Sequence, residues 1–216
     1  MERFRVLLAD DHAIIRDGLK QILADTDDFA VTGEAANGLE VMRQVREKNF
    51  DVLVLDISMP GRSGLDLIHM IKEERPELPI LVLSMHHEEQ YAVRALQAGA
   101  SGYLTKESDG DLLVAAIRRV ATGGVHISDK VAELMVRGRR STHEPLPHTL
   151  LSDREYQVFN MLVNGRGLSE IGAELSLSVK TISTHKTHIL HKMNLANAAE
   201  LIHYAIAHGL ADRSGF

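Results

Sequence analysis

Two stretches of this chain, Val52-Leu53-Val54-Leu55 and Ile80-Leu81-Val82-Leu83, are apolar at every position. A strand turns successive side chains to opposite faces, so such a run predicts a strand covered on both sides. Covered strands need helices above and below them, and the neighbouring sequence supplies those. Apolar or β-branched runs recur at 5–9, 30–35, 52–56, 80–84 and 102–104, and segments of helical period lie at 14–23, 39–47, 65–74, 91–98 and 111–122. Strand–helix alternation of this kind predicts an α/β doubly wound fold with a five-stranded parallel sheet.

The pattern then changes. Gly123-Gly124 ends the last of these helices, and Ser128 caps a further short helix over about 129–136. Residues 137–148 hold three arginines and two prolines without apolar periodicity, which reads as a linker. From Leu151 only helical segments follow. Ser152 and Glu155 form a capping-box pattern ahead of Val158, Phe159 and Leu162, and Asn164-Gly165 stops that helix. Further helices are expected at 168–175, 179–193 and 197–208. The expected organisation is a first domain over 1–123, a short helix and linker over 124–150, and a small all-α four-helix domain over 151–216. A unit as small as the last suits binding better than an enzymatic cleft.

Composition narrows the chemistry. The chain has no cysteine, which excludes disulfides, thiol catalysis and Cys-ligated metals. Hydrophobic residues make up 44% and charged residues 25%, an ordinary globular balance, and no run reaches the ~18 apolar residues of a membrane span. A cytoplasmic protein that does not engage a membrane is expected. The net charge of −6 is unevenly placed: residues 1–136 carry 15 Lys and Arg against 23 Asp and Glu, whereas 151–216 carry six of each and five His. An acidic front and a neutral rear point to two tasks, the second near an anionic polymer.

In a doubly wound sheet, ligands bind beyond the C-terminal ends of the strands. Those ends carry Asp10 and Asp11 after the first strand, Asp56 at the third, Ser84 at the fourth and Lys106 after the fifth. Crowded carboxylates are costly unless a cation lies among them, and oxygen ligands of this kind favour Mg²⁺. Lys106 then offers positive charge, Ser84 a hydrogen bond to a phosphoryl oxygen, and Asp56 a nucleophile for phosphoryl transfer. Taken singly, an Asp at a strand end is usually a turn residue and a lysine is usually solvated. Suitable residue types at the ends of four strands outweigh that reading.

The segments LLADDH, VLVLDISMPGRSGL, PILVLS and AGASGYLTK give residues 1–123 a specific likeness. They resemble the receiver domain of two-component response regulators, which has a flavodoxin-like fold. The resemblance implies Asp56 as phosphoacceptor, Asp10 and Asp11 as acidic residues of a Mg²⁺ site, Ser84 as switch hydroxyl and Lys106 as the phosphate-pairing cation. It also implies Tyr103 as the switch aromatic and the Ser58 backbone carbonyl as a metal ligand, with Pro60, Gly61 and Gly64 shaping the loop. Glu107 stands where many receivers have Pro, which leaves the Lys106–Glu107 peptide geometry open.

Residues 170–185 have helix–turn–helix logic. Ile171 and Leu175 share one face, Leu177 fits a short turn, Ser178 caps the next helix, and Ile182 and Ile189 form its buried side. The outward face offers Lys180, Thr181, Ser183, Thr184, Thr187, His188 and Lys192, groups suited to phosphates and base edges in a major groove. The alternative is a small packing domain with a polar surface, which the absence of net positive charge favours slightly. His185, His188 and His191 recur every three residues, but without an interleaved carboxylate or Cys they read as packing or phosphate-contacting residues rather than metal ligands. From Leu151-Ser-Asp-Arg-Glu155 through Gly165 and Lys192-Met193 to Glu200-Leu201, the segment resembles the LuxR-type DNA-binding domain of NarL/FixJ regulators. Gly172 stands where that family usually has Ala, a change worth about 1 kcal/mol of helix propensity. The last helix carries Leu201, Ile202, Ala205 and Ile206 on an apolar stripe, and the resemblance implies dimerisation through it.

The combined reading is a transcription regulator of a two-component system rather than an enzyme. A sensor histidine kinase phosphorylates Asp56, Ser84 and Tyr103 repack, and a homodimer grips promoter DNA, with RNA polymerase as a further partner. Two rivals stand beside it. A phosphohydrolase with an aspartyl-phosphate intermediate needs a second acid close after the nucleophile, and Asp56-Ile57-Ser58 lacks one. A constitutive DNA binder with a vestigial receiver is opposed by the intact carboxylates, Ser84 and Lys106.

Overall fold

A computed structural model of the chain describes residues 3–59, 64–84, 89–140, 146–175 and 177–211. The chain forms two compact units, Met1–Arg140 and Ser141–Phe216. Among the described residues no helix is long and apolar enough to cross a membrane.

The first unit alternates β1 (Phe4–Ala9), α1 (Ala13–Ala24), β2 (Phe29–Ala35), α2 (Gly38–Glu47), β3 (Val52–Asp56), α3 (Gly64–Glu74), β4 (Ile80–Ser84), α4 (Glu89–Gln97), β5 (Gly102–Thr105) and α5 (Gly110–Ala121). All strands run parallel in the order β2-β1-β3-β4-β5. Both β3 and β4 are buried at every position, as their unbroken apolar runs require. Alternate side chains sort to the two faces. Val6, Leu8, Val52, Val54, Leu81 and Leu83 pack with Leu19 and Leu23 of α1 and Ile117 and Val120 of α5 in one core cluster. The intervening Leu7, Leu53, Leu55 and Val82 point the other way and are equally buried. Polar side chains fix the helix starts: Asn37 Oδ1 accepts from Glu40 N at 3.0 Å, and Asp109 Oδ1 from Leu112 N at 2.7 Å. A Cβ on Gly64 would collide with Ile57, so glycine lets α3 begin directly against the loop after β3. Pro60 and Gly61, expected to shape that loop, lie outside the described residues.

The helix expected over 129–136 runs longer, as α6 (Asp129–Arg140), and groups with the first unit. Its Val131 is buried and the helix packs on α4. Just ahead of it, His126 forms a parallel bridge with Gly102 of β5. The apolar period alone could not reveal either contact, because both depend on where the chain turns after Gly124.

The second unit holds a 3-10 turn at Pro147–Leu150 and the helices α7 (Asp153–Val163), α8 (Leu168–Glu174), α9 (Val179–Lys192) and α10 (Ala198–Ala207). Ser152 and Glu155 close the capping box at α7. Tyr156, Val158, Phe159, Ile171, Ile182, Ile189, Leu201 and Ala205 form its buried interior. Gly172 faces the turn between α8 and α9, where a Cβ would come within 2.8 Å of the Leu177 carbonyl oxygen. Glycine there trades helix propensity for close approach.

Candidate functional site

Register brings the strand ends level. Asp56 pairs with Leu83, one residue before Ser84, and Ser84 pairs with Thr105, one residue before Lys106. Lys106 Nζ lies 2.8 Å from Asp56 Oδ2 and 2.7 Å from Asp10 Oδ2, with all three side chains almost wholly buried. One ammonium thus bridges two carboxylates. Asp56 Oδ1 accepts from Ser58 N at 2.8 Å, and Asp10 Oδ1 from His12 N at 2.8 Å. Arg16 reaches the Asp10 carbonyl oxygen at 2.6 Å and holds the loop from outside.

Burial pushes the Asp56 carboxyl above its ordinary range, and Lys106 and the Ser58 N–H only partly offset this. Burial also pulls the Lys106 ammonium down, but Asp10 and Asp56 outweigh it and hold the cation above its usual value. The donor set suits a hard cation. Asp10, Asp11, His12 and Asp56 each bring a ligand atom within 4.8 Å of the others. Buried Asp10 Oδ2 and Asp11 Oδ1 accept no well-formed hydrogen bond and meet only the Lys106 ammonium and, at 2.9 Å, the His12 ring nitrogen. Oxygens arranged in this way have lone pairs left for a divalent ion.

Ser84 is fully buried at the end of β4, and Tyr103 is buried on β5. The Lys106–Glu107 peptide, whose geometry the sequence left open, is trans. His12 received no role from sequence. Its place immediately after two acids was the available signal.

On α9, Lys180, Ser183, Thr184, Thr187 and His188 are exposed, while Ile182 and Ile189 are buried, so the helix presents the expected polar face. Thr184 and Thr187 donate to carbonyls four residues back, each at 3.0 Å, and keep acceptor lone pairs outward. Thr181 is half-buried and shares a 2.8 Å hydrogen bond with Ser178, which makes it part of the cap. Lys192 departs from the expectation of a phosphate contact. Its Nζ is 2.7 Å from Glu155 Oε2, a nearly buried carboxylate that also accepts from Ser152 N at 2.8 Å. The expected dimerisation stripe also divides: Leu201 and Ala205 have no exposed surface, while Ile202 is partly exposed and Ile206 is half exposed. The first pair is consumed by the unit's own core, since α10 packs on α7.

Lys192→Ala should therefore lower the stability of this unit by about 1–3 kcal/mol, because it strips the cation from a buried carboxylate. Burial pushes Glu155 up, but Lys192 and Ser152 more than compensate and hold it below the ordinary glutamate range. A depressed carboxyl contributes stability above its unfolded pKa, and that contribution is lost as pH falls through the folded value. Urea unfolding should show a large variant defect at neutral pH that shrinks in acid. Wild-type stability at neutral pH would remove Lys192 from this role.

A buried carboxylate between an ammonium and further acids, at the C-terminal edge of a parallel sheet and followed by a helix–turn–helix unit, defines a class of phosphorylation-controlled DNA-binding regulators. Residues 6–118 match the response regulator receiver domain, and residues 149–205 match the bacterial regulatory proteins of the luxR family. The chain is 37% identical to the oxygen regulatory protein NreC of Staphylococcus carnosus, over 96% of this chain and 99% of that protein. Among solved structures, the RcsB response regulator of Salmonella typhimurium is 27% identical with a TM-score of 0.69, covering 96% of this chain and 98% of that one. RcsB of Salmonella enterica serovar Typhimurium bound to a promoter in the presence of phosphomimetic BeF3- is 26% identical with a TM-score of 0.65, covering 95% and 100%. The chain belongs to the LuxR-type (NarL/FixJ) response regulators. It is a phosphorylation-dependent transcriptional regulator, in a family of DNA-binding proteins rather than enzymes.

Proposed function

We propose that Asp56 accepts a phosphoryl group from the phosphohistidine of a sensor kinase, and that the modified protein binds promoter DNA as a dimer. The observation that carries this reading is the setting of Asp56, a buried carboxylate 2.8 Å from Lys106 at the strand edge shared with Asp10 and Asp11. An Asp56 oxygen attacks phosphorus while the donor's P–N bond breaks and its electrons leave on the imidazole. The Lys106 ammonium faces the transferred oxygens. Ser84 hydrogen-bonds to one of them as the end of β4 shifts, and Tyr103 repacks behind it. Asp10, Asp11, Asp56 and the Ser58 carbonyl are the groups that would hold Mg²⁺. Bound there, the ion offsets negative charge on the phosphoryl oxygens.

On the DNA side, Lys180 positions α9 against a phosphate, while Ser183, Thr184, Thr187 and His188 face the bases. Ile202 and Ile206 supply the apolar contact between copies. RcsB seen on promoter DNA with BeF3- supports the same order of events for this chain.

The test is affinity for the duplex upstream of the protein's own gene, with and without beryllofluoride and Mg²⁺. Tighter binding and a larger oligomer with the phosphomimic are expected. No response would leave the vestigial-receiver reading in its place. In the activated state, Lys180→Ala should weaken specific and scrambled duplexes alike and reduce the salt slope by about one. Thr184→Ala should spare scrambled DNA and cost about 1–3 kcal/mol of discrimination. The reverse pattern would exchange the two roles.

A further inference from the structure

The chain that leaves α5 doubles back over the sheet before it reaches the second unit. His126 N donates to the Ser101 carbonyl at 3.1 Å, and Tyr103 N donates to the His126 carbonyl at 3.0 Å. β5 is the outer strand of the sheet, so this single parallel bridge occupies its open edge. The fit is close: a Cβ on Gly102 would lie 2.9 Å from the His126 oxygen and 2.9 Å from Leu81 Cδ1. Ser128 then starts α6, its Oγ accepting from Val131 N at 3.3 Å and its carbonyl from Ala132 N at 3.0 Å. Val131 is 3% exposed, and α6 lies on α4. The far end of α6, Arg140, adjoins the first residue of the second unit.

Two features make this segment a device rather than a mere connection. It is attached to the backbone amide of Tyr103, on the strand whose next pairs are Leu83–Leu104 and Ser84–Thr105, so a shift at the pocket edge acts directly on its anchor. Its hold is also slight, a pair of backbone hydrogen bonds and one well-buried apolar side chain, which a modest rearrangement can break.

We infer that residues 124–140 form a strap that restrains DNA binding while it lies on β5 and α4, and that phosphorylation releases it through Tyr103. The inference rests on the reading of Asp56 as phosphoacceptor. The strap covers in cis the face formed by α4 and the β5 edge, and release frees both that face and the tether to the recognition unit.

Two substitutions disturb the strap without touching the acidic pocket or α9. His126→Pro deletes the N–H that binds Ser101, and Val131→Asp places a charge beneath α6. In the full-length protein each should speed amide exchange at Tyr103 and raise affinity for the specific duplex about tenfold without any phosphodonor. Beryllofluoride with Mg²⁺ should speed the same exchange in the wild type and add little affinity to the variants. Circular dichroism establishes that each variant is folded, and either folded variant suffices. If both bind DNA as the wild type does, or if the phosphomimic tightens wild-type binding while Tyr103 stays protected, the strap is overturned and the phosphoacceptor reading survives. If the variants gain affinity but the wild type ignores the phosphomimic, phosphorylation-driven release is overturned together with the phosphoacceptor reading, and only the restraint remains.

Discussion

Asp56→Asn should take up no phosphoryl group from a small phosphodonor, with labelling below about one per cent of wild type, because an amide is no nucleophile for phosphorus. The Asn carbonyl can still accept the Ser58 N–H, and Lys106 keeps Asp10 as its partner, so the fold should persist. The variant should also change the pH dependence of stability in a defined direction. Burial raises the Asp56 pKa, so the folded state binds its proton more tightly than the unfolded chain does. The stabilisation that follows is complete below the unfolded pKa and is lost as pH rises through the folded value. The Asn variant lacks that segment of the profile. Intact-protein mass spectrometry gives the label, and melting temperature against pH gives the linkage. Labelling at the wild-type level would place the acceptor elsewhere.

Removing Lys106 should have the largest effect on stability. Lys106→Ala leaves the buried Asp10 and Asp56 carboxylates facing each other without their shared cation, and breaking such a pair costs about 3–5 kcal/mol. The loss should be greatest at neutral pH and shrink in acid, where one carboxyl takes up a proton. Mg²⁺ should restore part of it, since a divalent ion offsets the same charges. The Lys106 pKa is raised on folding, so its contribution is full below the unfolded value and disappears only in strong alkali. Urea unfolding at neutral and mildly acidic pH, with and without Mg²⁺, reads all of this. A neutral-pH stability equal to wild type would mean that the two carboxylates do not need the ammonium.

The site was legible because parallel topology is a strong constraint. Once β1, β3, β4 and β5 run the same way, Asp10, Asp56, Ser84 and Lys106 must reach one edge, however far apart they lie in sequence. The caps at Asn37, Ser152 and Ser178 were legible for a local reason, since donor and acceptor lie within one turn. What was hidden depends on choices made across longer distances. An outward lysine on α9 can bend back, and Lys192 does so to a carboxylate 37 residues away. An apolar stripe states that something covers it without stating what, and α7 rather than a second copy covers Leu201 and Ala205. His148 shows the same blindness. It reads as part of a linker, yet it is buried with Nδ1 2.7 Å from the Tyr204 hydroxyl.

The bridge between His126 and Gly102 bears on how such a protein can be divided, whether by protease, by gene fusion or at the bench. Sequence periodicity stops at Gly123, which makes that the inviting place to end an isolated receiver. A fragment cut there bares the peptide groups along the outer side of β5 and the surface of α4 that Val131 seals. Naked strand edges recruit other strands, so the short fragment is an aggregation hazard, whereas one carried on to Arg140 keeps its own stopper. The modular unit that recombination can move intact therefore extends beyond its last sheet-covering helix, and its tail travels with it as part of the receiver.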